Sequence, residues 1–231
     1  MIFSPENIHL VEKIEVVLRG KFCYTISVLI QILFANPFLF LTIAAAVLLA
    51  LSVHEYFHAW TAYSLGDPTA KNAGRLTVNP LAHLDPIGTF LIFIVGIGWG
   101  KPVPINPANF KNQKRGELLV GLSGPASNFL MALAAGLFIR FFEISNPGFF
   151  IFLSFFVWIN LVLSLINVLP IPPLDGSHML FALPLPESAK FFLAKNSLLF
   201  LISLFLIIWF VGFSFILRPI YELIAGMPSP F

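Results

Sequence analysis

Long runs of apolar residues, separated by short polar stretches, dominate the pattern of this chain. Four runs are about 20 residues long or longer, which is the length that a helix needs to cross a bilayer. They are Phe38–Tyr63, Leu119–Ile139, Phe149–Leu169 and Leu198–Leu217. Glu55 is the only Asp, Glu, Lys or Arg within them. The pattern therefore predicts membrane-spanning helices with a single charged residue inside the bilayer.

Two shorter apolar segments, Phe22–Ala35 and Ile87–Trp99, have about 13 or 14 residues each, a length typical of re-entrant or interfacial segments. Basic loops flank Ile87–Trp99 on both sides, Leu65–Pro86 before it and Gly100–Leu118 after it. Cytoplasmic loops are enriched in Lys and Arg. Both loops obey this rule only if Ile87–Trp99 enters the membrane and returns. We therefore expect a re-entrant segment with both loops in the cytoplasm.

The N-terminal segment Met1–Tyr24 has mixed charge and differs from the rest of the chain. Its apolar residues recur at helical spacing, which favours an amphipathic helix on the membrane surface. These residues are Ile8, Val11, Ile14 and Leu18. The apolar stretch that follows lacks the cleavage site of a signal peptide, so we expect it to be retained. Residues 25–231 contain no internal repeat and are predicted to form one membrane-embedded domain.

The composition supports a membrane protein, because 58% of the residues are hydrophobic and only 10% are charged, against about 25% charged residues in soluble domains. The net charge of +2 gives no reason to expect nucleic acid as a partner, and the single cysteine, Cys23, excludes an intrachain disulfide. We predict an all-α integral membrane protein. It should be a polytopic helical bundle of about four to six membrane segments, with one re-entrant segment and short extended loops.

The sequence His54-Glu55-Tyr56-Phe57-His58 lies inside the first long helix. Residues four apart share one face of a helix, so both imidazoles can reach a single ion. Neutral imidazole is a good zinc ligand. Glu55 can then take a proton from water that the metal has acidified. The alternative is a polar cluster that holds helices together, but the cost of a charge inside the bilayer favours a functional site.

A catalytic zinc with two histidine ligands needs a third protein ligand. Asp175 follows the third long helix in the stretch Asn167-Val-Leu-Pro-Ile-Pro-Pro-Leu-Asp175-Gly176, where prolines end the helix and the glycine permits a tight turn. An ordinary turn aspartate is the alternative. The first and third long helices should both end on the cytoplasmic side. Asp175 and His58 then lie toward the same membrane face, and His54 is about 15 Å from the end of its helix.

These motifs resemble the site-2 protease family of intramembrane zinc metalloproteases, in its compact bacterial branch without a PDZ domain. The resemblance rests first on His54-Glu55-x-x-His58, Asn167-x-x-Pro170 and Leu174-Asp175-Gly176. Further matching motifs extend it from about Ala35 to Met179. They are Asp67-Pro-Thr-Ala-Lys, Gly74-Arg-Leu-Thr-Val-Asn79-Pro80-Leu, His83-Leu-Asp85-Pro86, Lys101-Pro-Val-Pro-Ile-Asn106-Pro107 and Gly124-Pro-Ala-Ser-Asn128.

The resemblance implies one zinc ion per chain, held by His54, His58 and Asp175, with Glu55 as general base. It also implies that Asn167 holds the substrate backbone or stabilises the oxyanion, although a helix-end hydrogen bond is the alternative role for this residue. The implied substrates are transmembrane segments of other proteins. The implied location is a bacterial inner membrane, with the active site toward the cytoplasm.

Several polar residues near these motifs have less certain roles. Asn128 could bond near the zinc site, but we expect it to hold helices together. His83 is either a solvent-exposed loop residue or a group that lines the site, and His178 could orient the turn at Asp175. The β-prone run Arg75–Val78, or the segment Pro102–Pro107, could bind substrate as an added strand.

Two other functions are compatible with an intramembrane His/Glu cluster. A metal-ion or proton transporter would use these groups as a pathway, but transporters often carry inverted repeats, which this sequence lacks. A catalytically inactive zinc scaffold is the second alternative. All the groups that hydrolysis requires are present, so the sequence favours the protease.

Overall fold

A computed structural model describes residues 28–95, 98–182, 185–207 and 215–229 of the chain. In this part of the chain the regular structure is helical, with one isolated antiparallel bridge and no named strand. The helices are α1 (Val28–Ala35), α2 (Pro37–Ser64), α3 (Thr69–Asn72), α4 (Pro86–Val95), α5 (Gln113–Phe141), α6 (Pro147–Asn167), α7 (Ser177–Ala182), α8 (Glu187–Lys195), α9 (Ser197–Ile207) and α10 (Arg218–Ala225). The predicted amphipathic segment Met1–Tyr24 lies outside the described residues.

Three of the described helices, α2, α5 and α6, are long and apolar enough to cross a membrane. The ends of α2 and α6 agree closely with the predicted spans Phe38–Tyr63 and Phe149–Leu169. Asn36 caps the start of α2 and Asn146 caps the start of α6, and each is followed by a proline at the first helical position. The prediction of a helical, multi-pass membrane protein is therefore confirmed.

Helix α5 begins at Gln113, well before the predicted span that starts at Leu119. The side chain of Asn112 caps it by accepting a hydrogen bond from the backbone of Arg115 at 3.0 Å. Hydropathy marks only the part of a helix that lies in lipid, whereas the cap determines where the helix starts. The basic end of the predicted loop Gly100–Leu118 is therefore the first turn of a helix.

The predicted fourth span, Leu198–Leu217, is described only in part. Its first half is α9, and its last residues, Phe215–Leu217, are helical and lead into α10. The sequence did not predict α10, which is an amphipathic helix packed against α5 and α6. Nor did it predict α8 within the loop that follows the third long helix.

Small residues allow the long helices to pack closely. Ala46 and Ala50 of α2 are fully buried in the cluster that contains Phe155 and Phe156 of α6. On the other side of the bundle, Gly136 of α5 lies against Ile224 of α10. In a membrane, where lipid is as apolar as the helix surface, such close approach is a main source of helix association.

Buried Asp67, just after α2, fixes the loop that leads to α5. Its carboxylate accepts hydrogen bonds from the backbone of Asn106 at 2.7 Å, the side chain of Asn109 at 2.7 Å and the backbone of Thr69 at 3.1 Å. Burial alone would raise the pKa of this carboxyl, but the hydrogen bonds hold the pKa below its usual value. The loop is thereby tied to the end of the helix that carries both histidines.

The segment that contains α4 begins and ends at neighbouring points of the structure. Leu84 and Gly100 form an antiparallel bridge, and the backbone N–H of Lys101 donates to the carbonyl of His83 at 2.8 Å. Buried Arg75 joins the two sides by donating to the carbonyls of Ala82 and Lys101. The run 75–78 itself forms bends and not a strand. The two ends of the predicted re-entrant segment therefore lie side by side.

Candidate metal centre

The two histidines of α2 lie one helical turn apart and point to the same side. Only 5% of His54 and 7% of His58 is exposed. Their Nε2 atoms are 3.0 Å apart, and the rings meet edge to face with centroids 4.6 Å apart. This is the geometry expected for positions i and i+4, which share a helix face. The structure thus aims two imidazole nitrogens at one point inside the bundle.

Asp175 completes the group, although it lies more than 100 residues further along the chain. Its Oδ2 atom is 2.9 Å from Nε2 of His54 and 3.2 Å from Nε2 of His58. The backbone N–H of Gly176 donates to the carbonyl of Asn167 at 2.7 Å, which folds the loop back onto the end of α6. A side chain at Gly176 would collide with the carbonyls of residues 168 and 169, so this turn requires glycine.

These three side chains have the donor set and spacing of a catalytic metal site. One atom from each of His54, His58 and Asp175 lies within 4.8 Å of the others. Ligands about 2.0–2.1 Å from a tetrahedral zinc are themselves about 3.3 Å apart. The observed separations of 2.9–3.2 Å are therefore close to what one zinc ion needs. Two nitrogens and one carboxylate oxygen leave a fourth position for water or substrate.

The remaining nitrogen of each imidazole bonds to helix α5. Nδ1 of His58 lies 2.7 Å from the carbonyl oxygen of Val120. Nδ1 of His54 lies 2.5 Å from Oδ1 of Asn128, which is fully buried. The sequence favoured a helix-packing role for Asn128 over a bond near the zinc site, but in the structure the residue contacts His54 directly. The signal was the recurrence of Gly121, Gly124 and Asn128 on one face of the same helix.

Gly124 is the residue of α5 that leaves room for the site. A Cβ atom there would lie 2.4 Å from Nε2 of His58 and 2.6 Å from Nε2 of His54. Any side chain at this position would thus occupy the space between the donor atoms. The adjacent Pro125 cannot donate to the preceding turn of the helix. The Gly-Pro pair therefore brings an open backbone surface against the imidazoles.

Glu55 lies beside the three converging side chains but is not one of them. It is half-buried, and its carboxylate forms no hydrogen bond with the described residues. Its Oε1 atom lies near Gly100, 3.7 Å from where a Cβ on that glycine would be. The bridge between Leu84 and Gly100 therefore lies over this carboxylate.

The other predicted residues lie around the site. The carbonyl of Asn167 accepts a hydrogen bond from the backbone N–H of Gly176, while its side-chain amide donates to the carbonyl of Leu163 at 3.1 Å. His178 packs over Gly121 of α5. His83 is buried and not solvent-exposed. Its Nε2 lies 2.7 Å from the carbonyl oxygen of Thr77. None of these three belongs to the converging set within the described part of the chain.

Comparisons with known proteins find a family and relatives for this chain. The profile of peptidase family M50 matches residues 139–209. The Bacillus subtilis (strain 168) protein named "Putative zinc metalloprotease YwhC" is 37% identical over 201 residues, which cover 84% of this chain and 89% of the relative. The proteins named "Putative zinc metalloprotease Rip2" from Mycolicibacterium smegmatis and Mycobacterium tuberculosis (strain H37Rv) are 29% and 32% identical. The two alignments cover 76% and 75% of this chain, and 74% and 71% of the respective relatives.

No solved structure gives a significant match to the chain. The sequence relatives are nevertheless similar over most of their length, so the chain belongs to peptidase family M50, the site-2 proteases. The family predicted from the motifs is therefore confirmed, and so is the class of enzyme.

Replacing Gly124 by alanine tests the space that the site requires. The added methyl group would collide with both Nε2 atoms, so we expect zinc affinity to fall by about 100-fold or more, beyond the loss typical of an outer-shell change. Zinc affinity of purified protein, measured by chelator competition, is the readout. Gly136→Ala is the matched control, because it adds the same group to the same helix against Ile224. Normal zinc affinity in Gly124→Ala would contradict this arrangement.

Proposed function

We propose that this chain is an intramembrane zinc endopeptidase that cleaves peptide bonds in or near the transmembrane segments of other proteins. The observation that carries the proposal is the convergence of His54, His58 and Asp175 beside an uncommitted Glu55 in a membrane helix. Membership in family M50 and the names of the relatives support zinc as the metal. The donor set of two imidazoles and a carboxylate suits zinc as well.

Under this proposal, each side chain of the site has one role. His54, His58 and Asp175 hold one zinc ion, which supplies the Lewis acidity that polarises the peptide carbonyl and acidifies water. The carboxylate of Glu55 takes a proton from the attacking water and returns it to the leaving amine. Its freedom from hydrogen bonds within the described structure supports this role, because no protein partner has to be displaced first.

Asn167 is proposed to stabilise the oxyanion or to hold the substrate backbone. One hydrogen of its amide is used by the carbonyl of Leu163. The second hydrogen is available, because a primary amide has two donors. Its backbone bond to Gly176 keeps it next to the loop that carries Asp175.

We further propose that α4 is re-entrant and that the site opens toward the cytoplasm. Helix α4 has 10 residues and is about 15 Å long, half of the roughly 30 Å hydrocarbon core. The bridge between Leu84 and Gly100 also brings its two ends together. Asp175 is the most accessible of the three proposed ligands, with 26% of its side chain exposed. Residues 25–231 then form one catalytic domain in the cell membrane.

Replacing Glu55 by glutamine separates chemistry from metal binding. The variant keeps the shape of the side chain and removes its basic oxygen, so cleavage of a model transmembrane substrate should fall by about 10²–10⁴-fold while zinc content is unchanged. The exposed Glu143→Gln is the control and should retain full activity. Undiminished cleavage by Glu55→Gln would exclude this residue as the base. A wild-type protein that binds zinc but cleaves nothing would contradict the protease and leave the transporter and the inactive scaffold.

Cysteine labelling tests the re-entrant path. In a background that lacks Cys23, single cysteines at positions 71 and 114 should react with an impermeant thiol reagent from the same, cytoplasmic side. A cysteine at position 143, beyond the far end of α5, should react only from the opposite side. If positions 71 and 114 react from different sides, the segment that contains α4 spans the membrane and the re-entrant proposal is wrong.

A further inference from the structure

Two fully buried asparagines connect His54 of α2 to helix α6 through hydrogen bonds. Asn128 of α5 and Asn160 of α6 both have no exposed surface. Oδ1 of Asn128 lies 2.5 Å from Nδ1 of His54. Nδ2 of Asn128 donates to Oδ1 of Asn160 at 2.7 Å and to the carbonyl of Ala50 at 3.2 Å. Nδ2 of Asn160 donates to the carbonyl of Phe156 at 2.8 Å.

The direction of this hydrogen-bond chain is fixed at two points. The carbonyls of Ala50 and Phe156 are pure acceptors, so each can only receive a hydrogen bond from an amide nitrogen. The amide nitrogens of Asn128 and Asn160 therefore face these carbonyls, and their oxygens face the other way. Oδ1 of Asn128 is left facing His54 as an acceptor. The partner atom, Nδ1 of His54, must then carry a hydrogen.

With its hydrogen held on Nδ1, a neutral His54 presents Nε2 as a ligand atom beside His58 and Asp175. A neutral imidazole has one protonated nitrogen and one bare nitrogen, and only the bare nitrogen can ligate a metal. The same tautomer is favoured in His58, whose Nδ1 donates to the carbonyl of Val120. The two histidines are thus oriented by two independent acceptors, one a backbone atom and the other a side chain.

We propose that Asn128 and Asn160 are positioning residues that fix the ring orientation and tautomer of His54 for metal binding, with Asn160 acting through Asn128. The inference rests on the proposed role of His54 as a zinc ligand. A purely packing role would require only that the buried amides be paired with each other or with backbone. Here the amide groups of Asn128 and Asn160 are instead arranged so that Oδ1 of Asn128 faces Nδ1 of His54.

The first experiment reads the tautomer without zinc and without activity. Zinc-free protein selectively labelled with ¹⁵N-histidine is measured by NMR, which distinguishes protonated from bare ring nitrogens, and His54→Gln assigns the signals. In the wild type, His54 should carry its hydrogen on Nδ1. In Asn128→Leu, His54 should shift toward the other tautomer, because the acceptor is lost. A wild-type His54 with a bare Nδ1, or an unchanged protonation of Nδ1 in Asn128→Leu, would overturn the proposal.

The second experiment measures zinc affinity by chelator competition. Asn128→Leu should weaken zinc binding by about 10–100-fold, the usual cost of losing an outer-shell partner of a ligating histidine, and Asn160→Leu by about tenfold, the lower end of that range. Ser154→Ala is the control. This serine is also buried in α6, but its hydroxyl donates only to the carbonyl of Phe150 in its own helix, so zinc affinity should not change.

The two readouts also separate the inference from the proposed function. If wild-type protein shows the predicted tautomer but binds no zinc, the metal role fails and the positioning of His54 stands. If zinc binds normally in the wild type and in both leucine variants, the positioning role fails and the metal site stands. Should Asn128→Leu not fold, the wild-type tautomer and the zinc affinity of Asn160→Leu still decide the question.

Discussion

The constraint on which this structure depends is the cost of placing polar and ionisable groups inside a bilayer. A single charge at the bilayer centre costs about 3 kcal/mol on insertion scales, and two imidazoles and a carboxylate must also find partners because no bulk water is present. The structure meets this requirement within three helices. His54 and His58 bond to α5, Asp175 reaches both of them, and the amides behind His54 end on backbone carbonyls.

This requirement explains why small residues line the contact between α2 and α5. Gly124 allows the backbone of α5 to approach the imidazoles of His54 and His58 so closely that a Cβ atom would not fit, and Gly121 does the same for the turn that carries Asp175 and His178. Beyond the end of α2, Asp67 and Arg75 tie the loops together through buried hydrogen bonds. A site that is held by packed helices and paired loops keeps its geometry at little entropic cost when metal and substrate bind.

The sequence predicted what depends on local pattern and missed what depends on tertiary contact. Apolar length located α2 and α6 to within two residues, and the spacing of His54 and His58 predicted that they share a face. Helix direction predicted that Asp175 and His58 lie toward the same end of the bundle, and the structure brings the two side chains together. The recurrence of Gly121, Gly124 and Asn128 marks one face of α5 as a contact face, but no local rule determines which side chain of α2 meets Asn128 there.

The central claim is that His54, His58 and Asp175 hold a single zinc ion. X-ray absorption at the zinc edge of the purified protein tests it most directly, because the method reports the type and distance of the ligands. The account predicts two imidazole nitrogens and oxygen ligands at about 2.0–2.2 Å, and loss of bound zinc in Asp175→Ala. A sulfur ligand, a single imidazole, or an unchanged zinc signal in Asp175→Ala would contradict it.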